Sequence, residues 1–162
     1  FTETAEYLLE KGIRDVAFIG DRVMDTDRPK LHSLINIFTR YGLNLDLIEC
    51  HNKPDEVYCF GFNFKKQETP YQIILTENDT LASALIKGLS DAGVKVPEEV
   101  GVIGNNDTRF SEYAIPALTT IGFDKKAFVK TAINQLLKMI DSSTLSTEKI
   151  TFPTYLVKRD SV

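Results

Sequence analysis

The sequence predicts an α/β protein built on a doubly wound parallel sheet, and three observations predict it. Short runs rich in β-branched residues recur along the chain, DVAFIG (15–20), LDLIEC (45–50), YQIILT (71–76) and EVGVIG (99–104). None alternates strictly between apolar and polar, the pattern of strands buried on both faces. Between them lie stretches whose apolar residues recur every three or four positions, the spacing of an amphipathic helix. Three of these stretches close on Lys11-Gly12, Tyr41-Gly42 and Ala92-Gly93. Glycine there can take the left-handed conformation that ends a helix before the next strand. Helix, glycine and strand repeated in this order imply parallel strands joined by right-handed crossovers, with helices on both faces of the sheet.

The elements follow in order. Ala5, Leu8 and Leu9 mark a first helix that ends at Gly12, and the strand 15–20 follows it. A polar loop, GDRVMDTDR, leads to Pro29, a residue suited to the first turn of a helix, and Leu31, Leu34, Ile35 and Phe38 give that helix its apolar stripe. The strand 45–50 comes next. The segment 57–70, VYCFGFNFKKQETP, is aromatic-rich with Gly61 in its middle and carries no clear helical pattern. After the strand 71–76, Asn78 or Asp79 is placed to cap a helix beginning near Thr80, because a short side-chain oxygen can accept from the first free N–H groups. Leu81, Ala82, Leu85, Ile86 and Leu89 form its stripe. The strand 99–104 and a last helix over 125–141, with Ala132, Leu136 and Ile140, complete the series. The chain opens inside a helix with no initiating Met, so it reads as a piece of something longer.

Composition narrows the function classes. A chain of 162 residues suits one compact core. Its 43% hydrophobic and 26% charged residues are ordinary for a globular domain, and no run approaches the roughly 18 apolar residues a membrane helix needs. A formal charge of −4 has the wrong sign for gripping phosphates by counterion release, so any contact with DNA falls to another segment. Cys50 and Cys59 form no C-x-x-C arrangement, and the first residues lack the basic and apolar regions of a secretory signal. Both suit the cytoplasm. No nucleophile elbow, phosphate loop or dinucleotide fingerprint is present. Cys50 and His51 are neighbours on a strand end and point to opposite faces, and His32 has no evident nucleophile, so no enzyme is expected. The acidic residues Asp21, Asp25, Asp27, Glu98 and Glu99 lack metal-ligand spacing, and neither metal nor cofactor is expected.

Ligands of open α/β sheets sit beyond the carboxyl ends of the strands, and polar residues gather there. Arg22 and Arg28 follow the first strand; planar guanidinium groups suit hydroxyls, carboxylates or phosphates. Asn78 follows the third strand. Asn105, Asn106 and Asp107 follow the fourth. The competing explanations are local ones: surface arginines, a helix cap at Asn78 and a turn at 105–107.

A resemblance carries the assignment further. ILTENDTLASALIKGLSDAGVKVPEEVGVIGNND, IPALTTIGFD and the terminal LVKRDSV resemble the C-terminal half of the lactose/galactose repressor (LacI/GalR) family of transcription factors. AEYLLEKGIRDVAFIG with the downstream Arg28 extends the match. The resemblance implies a type I periplasmic-binding-protein-like core, mostly its C-terminal subdomain. On that reading 1–118 belong to the C-terminal subdomain, 119–149 form a crossover strand and helix of the N-terminal subdomain, and 150–162 return. The DNA-binding head and most of the N-terminal subdomain lie outside the chain.

The resemblance also implies an effector, a sugar or sugar phosphate, bound between the two subdomains. Operator DNA would be held by the head, as a homodimer and away from any membrane. Arg28 corresponds to the arginine that clamps sugar hydroxyls, Arg22 to a second effector arginine of some members, and Asn78 to the asparagine of the Asn-Asp strand end. Asn106, beside Asp107, stands where an effector-binding aspartate is common, and Asn52 stands near the place of an aromatic ring. An amide hydrogen-bonds hydroxyls without the charge of a carboxylate. The alternative is a sugar-binding protein of an uptake system, which shares the fold.

Overall fold

The computed structural model describes residues 1–21, 28–65, 68–142 and 149–162. Its elements are α1 (Thr2–Glu10), β1 (Asp15–Gly20), α2 (Pro29–Arg40), β2 (Asn44–Glu49), α3 (Pro54–Phe62), β3 (Ile73–Thr76), α4 (Asp79–Asp91), β4 (Gly101–Asn105), β5 (Thr119–Phe123), α5 (Lys125–Ser142) and β6 (Thr154–Val157). The strands form one sheet in the order β2-β1-β3-β4-β5-β6. Each of the four pairings from β2 to β5 is parallel, so the carboxyl ends of these five strands share one edge. The doubly wound α/β reading is confirmed.

Side chains alternate between the two faces of a strand, and two cores result. Val16 and Phe18 of β1, with Ile73 and Leu75 of β3, pack beneath Ala5 and Leu8 of α1 and Leu31, Leu34 and Phe38 of α2. On the other face, Ala17, Ile19, Ile74 and Val102 meet Val57 of α3 and Leu81, Leu85 and Leu89 of α4. Both faces of β1, β3 and β4 are therefore buried. The edge strand β2 is half exposed, which departs from the fully buried pattern expected of every strand.

The helix ends behave as the glycines predict. Gly12, Gly42 and Gly93 have φ of 74°, 70° and 79°. After α1 the Gly12 N–H reaches the Leu9 carbonyl and the Ile13 N–H reaches that of Leu8, both at 2.9 Å. This is the double bond pattern of a Schellman motif. The same pairs recur at Gly42 with Leu43 and at Gly93 with Val94.

The segment 57–70 begins inside a helix that sequence left unassigned. Pro54 sets its first turn, and Asp55 and Glu56 there favour the positive end of the helix dipole. Its packing is unusual: a Cβ on Gly61 would come within 2.7 Å of the Leu85 carbonyl oxygen, and one on Gly88 would overlap the Tyr58 carbonyl. Two glycines thus let α3 and α4 meet backbone to backbone.

The chain divides into two compact units, Phe1–Gly122 with Tyr155–Val162, and Phe123–Thr154. The first unit keeps 119–122 because Thr119, Thr120 and Ile121 pair with β4. In the second unit Phe128 stacks edge-on against Phe123 and Phe152, with ring centroids 5.6 and 5.3 Å apart. Val129, Ile133, Leu136, Leu137 and Ile140 of α5 are exposed.

Candidate functional site

The strand order reverses direction between β1 and β3, since β2 lies on one side of β1 and every later strand on the other. Such a switch point leaves a crevice at the carboxyl edge where the crossing connections part. The polar residues gather around it.

Arg28 is the residue just before α2, and Pro29 opens the helix. Its guanidinium donates through Nη1 to the Asp21 carbonyl and through Nη2 to Glu77 Oε1. The other carboxylate oxygen, Glu77 Oε2, accepts from the Asp21 N–H at 2.6 Å. Glu77 follows β3, and its own N–H is anchored on the Ile19 carbonyl at 2.9 Å. A side chain at Gly20 would come within 2.9 Å of Glu77 Oε2, so the carboxylate occupies space that Gly20 leaves. Lys30 Nζ lies 3.4 Å from the Glu77 carbonyl oxygen. Although Lys30 is exposed as a residue, its ammonium is crowded; loss of hydration lowers its pKa most, Glu77 opposes that and Arg28 adds to it.

Asn78 caps α4 and its Oδ1 accepts from the Leu81 N–H at 3.0 Å, so the cap expected at Asn78 or Asp79 falls to Asn78. Its amide nitrogen donates to Asn52 Oδ1 at 3.0 Å. Asn52 lies in the turn between β2 and α3, where His51 and Asn52 take φ of 47° and 52°, a region asparagine tolerates. His51 stands between Glu49 and Glu56, at 3.4 and 3.3 Å. Its hydrogen bond is the main reason the Glu56 carboxyl has a lowered pKa.

Asn106 and Asp107 follow β4 with φ of 100° and 45°. The Asn106 N–H donates to the Ile121 carbonyl at 2.8 Å, and Asp107 Oδ1 accepts from Arg159 Nη2 at 2.9 Å. This loop is pinned by Asp79. One of its oxygens accepts from the Thr108 N–H at 2.6 Å and the Ser111 hydroxyl at 2.7 Å, and the other from the Thr120 hydroxyl at 2.5 Å. Asp79 is buried, with a role in positioning the loop.

Arg28, Asn52 and Asn78 are therefore brought to one strand edge, Arg28 held by Asp21 and Glu77 and the two asparagines held by each other. Asn106 and Asp107 form a neighbouring group with Arg159 and Thr120. Arg22, the other arginine singled out in the sequence, lies outside the described residues. Glu77, Asp79 and Arg159 were not singled out as site residues, although all three stand within the motifs that carry the resemblance.

Residues 5–162 match the model of the periplasmic binding protein-like domain family. The chain belongs to that family. Among curated proteins, this family member is similar to the HTH-type transcriptional repressor PurR of Erwinia tasmaniensis, at 29% identity over 96% of this chain and 47% of the relative. It is 34% identical to the HTH-type transcriptional regulator AscG of Escherichia coli K12 over 57% of this chain and 27% of the relative. The chain spans about half the length of the first of these. Among solved structures, a LacI family transcriptional regulator from Lactobacillus casei with bound sucrose superposes with a TM-score of 0.82 at 21% identity, covering 99% of this chain and 62% of that one. The likeness to the lactose/galactose repressor family read from the sequence holds in both comparisons: the relatives are transcriptional regulators, and the periplasmic-binding-protein-like fold is shared.

Proposed function

We propose that the chain is the C-terminal part of the effector-sensing core of a bacterial transcriptional repressor controlling carbohydrate-utilisation genes. A sugar or sugar derivative would bind at the edge where Arg28, Asn52 and Asn78 converge, with Asn106 and Asp107 closing the neighbouring side. The observation that carries this reading is the convergence of donors and acceptors from three strand ends on a topological switch point, in a chain whose relatives are repressors. A sucrose-bound neighbour in fold supports the ligand class.

The role is binding without catalysis. The effector shifts the balance between two arrangements of the subdomains, which requires a different affinity for each. The separate packing of Phe123–Thr154 supports assigning most of 119–149 to the second subdomain. Operator DNA is contacted by a helix-turn-helix head outside this chain, in the cytoplasm. Helix-turn-helix repressors read two half-sites as dimers, and the large apolar side chains Phe110, Tyr113 and Ile115, 80%, 67% and 92% exposed, supply a face for a second copy.

The test is fluorescence anisotropy of the full-length protein on DNA from its own upstream region, with a panel of sugars and sugar phosphates. A compound that shifts operator affinity supports the reading and names the effector. A protein that binds no DNA, or sugars that never alter its DNA binding, would sink it.

A further inference from the structure

Glu77 stands out at the candidate site because its carboxylate is held from two segments at once and its backbone is anchored as well. It receives the Asp21 N–H after β1, it pairs with Arg28 ahead of α2, and its backbone N–H is tied to Ile19 within β1. Gly20 leaves room for it. Its side chain is 17% exposed and that of Arg28 is 29% exposed, so the pair is largely withdrawn from water but still reachable. Lys30 adds a second cation against the Glu77 carbonyl.

We infer that Glu77 is a specificity-determining residue that restricts this site to uncharged, hydroxyl-bearing ligands by supplying the counter-charge to Arg28. This rests on the sensor reading above and goes further, dividing neutral sugars from sugar phosphates. Arg28 and Lys30 alone would be the composition of a phosphate site, and Glu77 sets a fixed negative charge against both. With it, an arriving phosphate meets a fixed carboxylate only a few ångströms from the guanidinium, at a distance where like charges repel strongly in partly desolvated surroundings. A hydroxyl suffers no such repulsion, because it can donate to a carboxylate oxygen and accept from a guanidinium. Other cations of this edge are paired too: Arg159 with Asp107 at 2.9 Å and Lys53 with Glu56 at 3.2 Å.

The experiment measures thermal unfolding of the full chain titrated with inorganic phosphate and with glucose 6-phosphate at constant ionic strength, for the wild type, Glu77→Gln, and Glu77→Gln combined with Arg28→Gln. Glutamine keeps the size and the acceptor for the Asp21 N–H while removing the charge. The expected result is a wild type that phosphate leaves unmoved, and a Glu77→Gln variant that it stabilises, with affinity raised roughly tenfold or more. The double variant is expected to lose that gain. A saturable stabilisation of the wild type by phosphate or glucose 6-phosphate would overturn the inference, and that arm needs no variant to fold. So would a folded Glu77→Gln that gains nothing. Neither result touches the operator experiment, so failure of the sensor reading and failure of this inference are told apart.

Discussion

At the scale of single residues, Asp79 and Arg28 illustrate two kinds of polar group. Asp79 is buried and accepts from one backbone N–H and two hydroxyls on two other segments. Asp79→Ala strands all three donors, each costing about 1–3 kcal/mol when left unpaired in the interior. A loss of about 3 kcal/mol or more in urea unfolding is expected, and a change within 1 kcal/mol would show that the loop is held otherwise. Arg28→Ala leaves the largely buried Glu77 carboxylate without its cation, so a loss of about 1–3 kcal/mol with the fold retained is expected, while the sugar response in the anisotropy assay disappears. The two thiols should separate as cleanly. Cys50 is buried, and burial first of all pushes its pKa up, whereas Cys59 is exposed. Ellman's reagent is expected to titrate Cys59 in the native protein and Cys50 only after denaturation. The site was legible where it is local: the Asn78 cap spans three residues. It was illegible where partners are distant. Arg28 meets Glu77 at a separation of 49 residues and Asp107 meets Arg159 at 52, and no periodicity carries such a pairing.

At the scale of elements, β5 and β6 were expected only from the resemblance, whereas β1, β3, β4 and most helices could be read because burial on two faces leaves continuous β-branched runs and an amphipathic helix leaves a three/four stripe. The exception, α3, has a physical cause. Four residues after the buried Val57, where the stripe requires an apolar side chain, stands Gly61, whose contact is backbone against α4. Two glycine substitutions separate packing from conformation. Gly88→Ala puts a Cβ into the Tyr58 carbonyl and should force α3 from α4, costing about 1–3 kcal/mol and altering the near-ultraviolet dichroism of Tyr58. Gly93→Ala has open space but a φ of 79°, and should cost about 1–2 kcal/mol with that spectrum unchanged. Equal spectral changes in both would contradict the distinction.

At the scale of the whole molecule, the prediction concerns association. Phe110, Tyr113 and Ile115 are expected to be covered in a dimer, so sedimentation of the full-length protein should show a two-fold species that Ile115→Lys weakens. A wild-type monomer at assay concentration would remove this face from consideration. The doubly wound layout was legible because the order of helix, glycine and strand dictates it. The switch point followed only once strand order was known. The glycine contact between α3 and α4 has a bearing on how such a scaffold acquires new ligands. Asn52 precedes one of these helices and Asn78 begins the other, and the main chains touch with nothing between them to enlarge or trim. The gap between the two amides is thus a constant of the scaffold. A descendant with a different ligand must exchange the residues standing at those two helix starts, as tools are exchanged in a fixed holder, because the holder has no intermediate settings.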